Sequence, residues 1–482
     1  MLKIIWEHGL RGKIWRILKK MNSELKAKVK TKYGLTEEID MEVGGSQGSR
    51  VTGRMFSKMM DLLSEEALAT DTGFKIFENL IIAFLLWVDD VVSFAEGTSE
   101  QWSVLGCLDQ FAKDHKLRWG MEKCQVMKVG KHKKDDVNEW KIGEMAINET
   151  KSYKYLGDVI TDDGKNSKNL ETRREKTIAT TISIKTVASN EVFREIGTKV
   201  LMELHETTTL SALLTNSESW TLNKKENGDL EQMETQSIKL LFDLPSHTPT
   251  PALIYTFGLL YRSLRVQKRQ LLYLWKVVNR DHEHWTLKAL TQVMSKNIGW
   301  GKSINGVLAK HNLPTDLPSI KRLTRNEWNR KVSLAIEKSN KERLIEELYK
   351  TENGVRKRKT KTASIVDFIE HSNYERKPLC EIMLCSKQET KAIVTARYGM
   401  LECGKNFKGT QTERCQECNV LDDENHRLNY CTIYKDLNNC DSVTKIDYQM
   451  IHSNDPIELR GIVYEIMKVW NLRNANGTMN TE

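Results

Sequence analysis

Two adjacent aspartates, Asp89 and Asp90, stand between two apolar, β-prone runs, and this pattern restricts the fold more than any other in the chain. The runs occupy residues 80–86 and 91–95. β-Prone runs around a short polar pair predict a tight hairpin, which places two carboxylates at the end of a small sheet. Aspartate is also a common turn residue, so turn chemistry is the more frequent explanation of an isolated pair.

Helical patterns and short motifs flank the predicted hairpin in a definite order. A glycine-rich loop at residues 44–48 precedes a helical pattern. The apolar face of that pattern consists of Met55, Phe56, Met59, Leu62 and Leu63. After the hairpin, Thr98 and Gln101 form a predicted capping box that opens an amphipathic helix. Residues 122–127 and 153–157 follow this helix.

Taken in order, these segments resemble the later motifs of reverse transcriptases from non-LTR (LINE-type) retrotransposons. The Tyr-Ala-Asp-Asp box of that family corresponds to residues 87–90. The resemblance implies that Asp89 is a ligand of catalytic Mg²⁺ (or Mn²⁺) and that Asp90 is its supporting neighbour. It also implies that Lys123 assists the departure of pyrophosphate as an acid, whereas the plain structural alternative is a solvated surface lysine.

The same resemblance extends to two glycine-containing segments. The loop that lines the nucleotide and template pocket, where glycine lets the backbone approach the substrate, corresponds to Gly44, Gln47 and Gly48. The turn that grips the primer corresponds to Tyr155, Leu156 and Gly157. Taken alone, the first segment is a flexible turn and the second is a common strand end.

One part of the polymerase site has no counterpart in the chain. In the family a further metal-binding aspartate lies on an earlier strand, and no such motif precedes Gly44. Residues 6–15 resemble the helix that follows that motif, so the chain is expected to begin within the palm. Two metal ions need a facing carboxylate, and Trp87 and Val88 are bulkier than the residues they replace. We therefore expect a truncated or decayed copy without polymerase activity.

The composition agrees with a multidomain intracellular protein of the nucleus, the cytoplasm or both. Of its 482 residues, 39% are hydrophobic and 29% are charged, which is ordinary for soluble globular proteins. The net charge of +9 favours polyanionic partners, here RNA and DNA. No secretory leader is recognisable, and the most apolar run, residues 80–88, is too short to span a bilayer. We therefore expect no membrane association.

Cysteines near the carboxyl end have the spacing of a compact zinc knuckle. The pattern is Cys415-x2-Cys418-x7-His426-x4-Cys431, and three thiolates with one imidazole suit tetrahedral Zn²⁺. The metal supplies folding energy that so short a segment lacks. A chance grouping of surface thiols is the alternative. Residues 396–407 resemble the approach to the carboxy-terminal knuckle of the same elements.

The stretch between these two regions is predicted to be mostly helical. Glu218 and Trp220 keep the Glu-x-Trp spacing that follows the palm in the family. Residues 262–276 mix basic and apolar side chains, which fits either a helix lying against a duplex or the solvated outer face of a core helix. The basic run at residues 356–361 is a nuclear import signal, a phosphate-contacting arm or a solvated linker.

The expected fold class is α+β. A partial polymerase palm, made of a small antiparallel sheet with helices, is predicted for residues 1–185, and a helical thumb-like region for 186–278. A basic helical connector (279–390), a zinc-knuckle region (391–440) and a partly disordered tail (441–482) follow. The implied function is that of an inactive reverse transcriptase fragment, that is, a remnant of an RNA-directed DNA polymerase. A nucleic-acid-binding protein and a non-functional relic are the alternatives, and the oligomeric state is open.

Overall fold

A computed structural model gives the fold of the chain. The described residues are 2–23, 25–40, 49–69, 73–77, 80–130, 139–189, 197–352, 355–358, 386–397, 414–415, 418–421, 423, 426, 430–431, 451 and 455–477. They form a mixed α/β structure that is mostly helical, with small sheets that are predominantly antiparallel. This mixture of helices and small sheets is as predicted, whereas a polymerase palm stays a prediction.

The chain divides into two compact units. The amino-terminal unit comprises Met1–Tyr153, Thr161–Gly164 and His282–Gln292. The helical unit comprises Lys154–Ile160, Lys165–Asp281 and Val293–Glu482. In the described parts of both units, no helix combines the length and the apolar composition needed to cross a membrane.

Short strands and three long helices make up the chain as far as residue 161. In order they are α1 Leu2–Glu7, α2 Gly12–Ser23, β1 Lys26–Ala27, β2 Lys30–Thr31, β3 Gly34–Leu35, β4 Ile39–Asp40, α3 Arg50–Ala69, β5 Phe74–Phe77, β6 Leu80–Ile82, β7 Phe84–Trp87, β8 Asp90–Ser93, α4 Thr98–Asp114, a 3₁₀-helix Met121–Lys123, β9 Gln125–Val126, β10 Trp140–Ile142, β11 Met145–Glu149, β12 Ser152–Tyr155 and β13 Asp158–Thr161.

Helices dominate the rest of the chain. They are α5 Ser167–Ala188, α6 Thr198–Leu204, a π-helix His205–Leu210, α7 Ser211–Leu214, a 3₁₀-helix Ser217–Ser219, α8 Lys224–Leu241, α9 Thr250–Thr256, α10 Arg262–Val278, α11 Trp285–Ser295, α12 Gly299–Lys310, α13 Leu317–Lys321, α14 Arg325–Leu348, α15 Lys387–Arg397 and α16 Pro456–Gly477, with a hairpin of β14 Tyr349–Glu352 and β15 Val355–Arg358. Helix α16 includes residues 471–477, which belong to the predicted tail.

The core of the amino-terminal unit forms where α3 and α4 pack together. On α3, Met55, Met59 and Leu63 are buried. Phe56 and Leu62 are partly buried and pack against the same core. The helical pattern predicted for this segment is therefore confirmed, and its apolar face is the face that packs.

Helix α4 is confirmed, but the capping box predicted for Thr98 and Gln101 is wrong. The helix begins at Thr98, so the N-cap is Gly97, which has no side chain to offer a hydrogen bond. Glu100 instead accepts a hydrogen bond from the backbone N–H of Glu96 at 2.8 Å. Its negative charge lies in the first turn, where the helix dipole favours it.

Helix α10 is a core helix that packs against α8 and α14. Its Arg262 side chain is fully buried and forms an ion pair with Glu234 of α8. Arg265 forms a second ion pair, with Glu206, at 2.9 Å. The helix is therefore part of the core, as one of the two interpretations predicted, and its contact with a duplex stays a prediction. Arg262 nevertheless points into the core rather than to solvent, because a buried carboxylate faces it.

A buried histidine lies in the π-helix between α6 and α7. His205 Nε2 is 2.8 Å from Ser237 Oγ. Burial, together with the positive charges of Arg262 and Arg265, lowers the pKa of His205 to about 3. The imidazole is therefore neutral at physiological pH.

Candidate functional site

The acidic hairpin is present as predicted. Strands β7 and β8 pair antiparallel, with Trp87 opposite Asp90, and Val88 and Asp89 form the two-residue turn between them. Phe84 anchors the base of the hairpin in the core of the amino-terminal unit. At the tip, Trp87 is 62% exposed and both aspartates are exposed. The two carboxylates are thus displayed to solvent at the end of a small sheet.

The backbone of the turn is strained at Val88. Its φ is 57°, which lies in the left-handed region. A β-branched residue rarely adopts this conformation, because Cβ is crowded there by the backbone. Valine at this position therefore has a local conformational cost.

Lys123 is the last residue of the 3₁₀-helix Met121–Lys123, and its side chain is exposed. Its backbone carbonyl accepts a hydrogen bond from the Tyr153 hydroxyl at 3.3 Å. Partial burial raises the pKa of Tyr153, and the charge of Asp90 adds to the rise. The Tyr153 ring therefore lies within electrostatic reach of the hairpin, which the sequence motifs did not indicate.

The Mg²⁺ site implied by the resemblance stays a prediction. In the described part of the chain, the one group of three or more His, Cys, Asp or Glu side chains with metal-binding geometry does not include Asp89 or Asp90. Gly44, Gln47 and Gly48, the predicted nucleotide and template loop, lie outside the described residues.

The predicted primer-grip segment forms a tight turn between β12 and β13. Leu156 and Gly157 occupy the turn with φ values of 46° and 91°, and Tyr155 ends the preceding strand. Two positive φ values in a two-residue turn match the twist of a hairpin, and glycine meets this requirement without strain. The geometry of the turn is therefore that of a hairpin, and its role at a primer stays a prediction.

A buried arginine holds this turn in place. Arg173 of α5 donates to the Gly157 carbonyl at 2.9 Å, to Asp158 Oδ1 at 2.6 Å and to the Ala212 carbonyl at 2.8 Å. Asn216 adds a bond from its side-chain amide to the Leu156 carbonyl at 2.9 Å. Sequence reasoning missed Arg173 because nothing in its local pattern marks it as an inward-pointing residue.

The cysteine and histidine residues of the predicted knuckle are brought together. The ligand atoms of Cys415, Cys418, His426 and Cys431 all lie within 4.8 Å of one another. The Sγ atoms of Cys415 and Cys431 are 3.8 Å apart. Cys431 is 3% exposed and His426 is 5% exposed. Buried ligands do not fit a chance grouping of surface thiols.

Local hydrogen bonds shape the loops that carry these ligands. The Cys415 N–H donates to the Val420 carbonyl at 2.9 Å, and the Asn419 N–H donates back to the Cys415 carbonyl at 2.8 Å. Asn419 has a φ of 54°, a conformation that asparagine tolerates better than most residues. On the other side, the Cys431 N–H donates to the His426 carbonyl at 2.7 Å. These backbone bonds connect the described residues that carry the four ligand side chains.

The donor set fits Zn²⁺. His426 Nε2 is buried without a hydrogen-bond partner among the described residues, and such a buried acceptor is costly unless a ligand occupies it. Three thiols and one imidazole form a four-ligand set typical of structural zinc. The described structure therefore supports a metal centre that could bind a metal such as zinc.

The chain matches no protein-family model, and a comparison with curated proteins also finds no match.

Proposed function

We propose that this chain is a catalytically deficient remnant of a non-LTR reverse transcriptase that binds nucleic acid. The observation that carries the proposal is the convergence of Cys415, Cys418, His426 and Cys431 within 4.8 Å. A zinc knuckle at this place follows from the resemblance to the retrotransposon family. The order of the motifs around Asp89 supports the same ancestry.

The metal centre supports binding rather than chemistry. Its four protein ligands fill the tetrahedral shell of Zn²⁺, whereas a catalytic zinc keeps one position open for water or substrate. The ion would hold together a loop segment in which the described backbone bonds are few and local. A structural zinc site of this kind stabilises the fold of the segment around it, and the surface of that folded segment is what a partner would bind.

The acidic hairpin supports catalytic deficiency. Phosphoryl transfer with two metal ions needs carboxylates on both sides of the ions, and Asp89 and Asp90 are adjacent residues at the tip of one exposed hairpin. The strained Val88 and the exposed Trp87 replace smaller residues of the family box. These features agree with a polymerase palm that no longer catalyses nucleotide addition.

We expect the full chain to bind single-stranded RNA in a manner that depends on salt and on zinc. With about six phosphate contacts to a single strand, the affinity falls about 300-fold between about 50 and about 200 mM salt, because binding releases counterions. Treatment with EDTA weakens binding further, and added zinc restores it while added magnesium does not. Fluorescence anisotropy of a labelled RNA oligonucleotide measures both effects. An RNA affinity that changes neither with salt concentration nor with EDTA contradicts the proposal.

We expect no primer extension by the wild-type chain with either Mg²⁺ or Mn²⁺. Because the activity is absent from the start, Asp89→Asn changes nothing. The matched control is Asp61→Asn, which removes an aspartate that forms a surface ion pair with Lys58. The assay extends a labelled primer on an RNA template with all four deoxynucleotides. Extension by wild type and Asp61→Asn, lost in Asp89→Asn, overturns catalytic deficiency and restores the enzyme hypothesis.

A further inference from the structure

The positive charge of the chain is concentrated near its amino end. Residues 11–32 contain nine lysines and arginines and one glutamate, so this segment alone has a net charge of +8 in a chain of net charge +9. The segment covers helix α2 and the first half of the strands that follow it. A polyanion approaching this segment therefore meets a strong local excess of positive charge.

The strands of this segment form a two-stranded ribbon. Strand β1 pairs with β4 and β2 with β3, both antiparallel, and the Thr36 N–H donates to the Val29 carbonyl between them at 3.0 Å. Every residue from 28 to 40 is exposed. Because both faces of the ribbon are exposed, its side chains do not pack into a core and are accessible to a partner.

Lysines occupy every second position of the sequence from residue 26 to residue 32. They are Lys26, Lys28, Lys30 and Lys32. Lys26 lies in β1 and Lys30 in β2, whereas Lys28 lies between the two strands and Lys32 lies in the turn that follows β2. In extended backbone, every second side chain is about 7 Å from the last. This repeat resembles the spacing of successive phosphates along a nucleic-acid strand.

The lysines nearest the tip are the uncompensated ones. Glu38 forms ion pairs with Lys26 at 3.2 Å and with Lys28 at 3.4 Å. Within the described ranges, no carboxylate pairs with Lys30 or Lys32. The tip residue Tyr33 is 89% exposed, and Lys32 Nζ lies 4.9 Å from its ring centroid. The tip therefore combines two lysines that have no carboxylate partner in the described ranges with a largely exposed aromatic ring, over one face of which Lys32 lies.

Helix α2, which precedes the ribbon in the chain, is also basic. It contains no acidic residue, and its basic side chains are all exposed. They are Lys13, Arg16, Lys19 and Lys20. Only Leu18 of this helix is buried. The helix and the ribbon thus belong to one continuous basic segment, here named the basic arm and defined as residues 11–33.

We propose that the basic arm grips the phosphate backbone of a nucleic acid, with Tyr33 stacked on a base. Lys30 and Lys32 contact successive phosphates, and stacking on an aromatic ring is available to every base. The inference rests on the proposed nucleic-acid binding, but it assigns a contact surface that is separate in sequence from the metal centre. It also predicts that binding is sequence-tolerant, because neither contact reads a base edge.

An anionic membrane is the competing partner for a basic amphipathic helix. Ile14, Ile17 and Met21 are exposed on α2 and would favour it. The ribbon favours nucleic acid instead, because its regular lysine repeat and aromatic tip match phosphates and bases, while its exposed backbone edges gain nothing in hydrocarbon. Vesicles are therefore part of the test.

The test compares two double variants of the full chain that remove equal charge. Lys30→Gln/Lys32→Gln neutralises the ribbon tip, and Lys331→Gln/Lys338→Gln neutralises two exposed lysines of α14. Anisotropy of a labelled single-stranded RNA is measured over a range of salt. For the ribbon variant we expect the slope of log affinity against log salt to become shallower by about 1.4, from two lost phosphate contacts. The α14 variant keeps the wild-type slope.

A third variant separates stacking from charge. Tyr33→Ala is expected to weaken RNA binding about tenfold and to leave the salt slope unchanged, because no phosphate contact is lost. All substituted side chains are exposed, so the far-ultraviolet circular dichroism and the melting temperature should match those of wild type.

Each remaining outcome overturns a specific statement. Wild-type RNA binding with an unchanged slope in Lys30→Gln/Lys32→Gln overturns the basic arm and leaves the proposed function standing. No RNA binding by the wild type overturns both. Wild-type binding to vesicles of equal parts phosphatidylcholine and phosphatidylserine that competes with RNA and is lost in the ribbon variant overturns the assignment to nucleic acid.

Discussion

Cys431→Ser abolishes zinc binding by the chain. We expect purified wild-type protein to contain about one zinc ion per chain, held by a closed four-ligand shell, and the variant to retain about a tenth of that or less. Cys431 is the most buried of the three cysteines in the cluster. A serine hydroxyl does not deprotonate at neutral pH, so it does not replace the thiolate as a ligand.

The measurement uses metal content and Co²⁺ spectra together. Atomic emission gives the zinc stoichiometry, and Co²⁺ substitution gives thiolate charge-transfer bands that count the sulfur ligands. Cys107→Ser is the matched control, since this half-buried thiol packs against the core of the amino-terminal unit and is not in the cluster. A Cys431→Ser chain with full zinc, or a Cys107→Ser chain without it, contradicts the four-ligand assignment.

Arg262→Met destabilises the helical unit by about 3–5 kcal/mol, the usual cost of leaving one buried charge without its partner. Arg262 and Glu234 are both essentially inaccessible to solvent. Removing the guanidinium leaves the Glu234 carboxylate in the interior, where it must either stay charged at high cost or take up a proton. The free energy of unfolding is obtained from urea titrations followed by circular dichroism at helical wavelengths.

A double variant distinguishes the lost charge from lost packing. Arg262→Met/Glu234→Leu replaces the whole pair by apolar side chains, and such replacements are often neutral or stabilising. We therefore expect the double variant to recover most of the stability that the single variant loses. Equal losses in both variants would show that packing volume, not the unpaired carboxylate, sets the cost.

Local patterns predicted the local structures. The hairpin at Asp89 and the packing face of α3 were predicted from the spacing of apolar residues. This spacing matches the period of a strand or a helix when one face of the element is buried. The clustering of Cys415 with His426 agrees with the ligand spacing, which is typical of a zinc site. These predictions needed only neighbouring residues in the chain.

Long-range polar contacts were beyond the same reasoning. Arg262 lies in a basic pattern that favours an outer face, and the carboxylate that draws it inward, Glu234, comes from a different helix. Arg173 is similar, since the carbonyls that it binds belong to a hairpin and to α7. The capping box failed for a smaller reason, a helix that starts at Thr98 itself. For both arginines, the deciding partner is invisible in the local sequence pattern.

The exposed ribbon also has a consequence for solubility. Each of its strands pairs on one side only, so both outer edges carry unpaired backbone N–H and C=O groups that another strand could bind. Val29, Leu35 and Ile39 are exposed beside those edges and would reward such pairing. Lysine is the residue that natural sheets use to prevent it. Acetylation of the lysine repeat would therefore remove the barrier to edge-to-edge self-association, and the chain would aggregate through its ribbon.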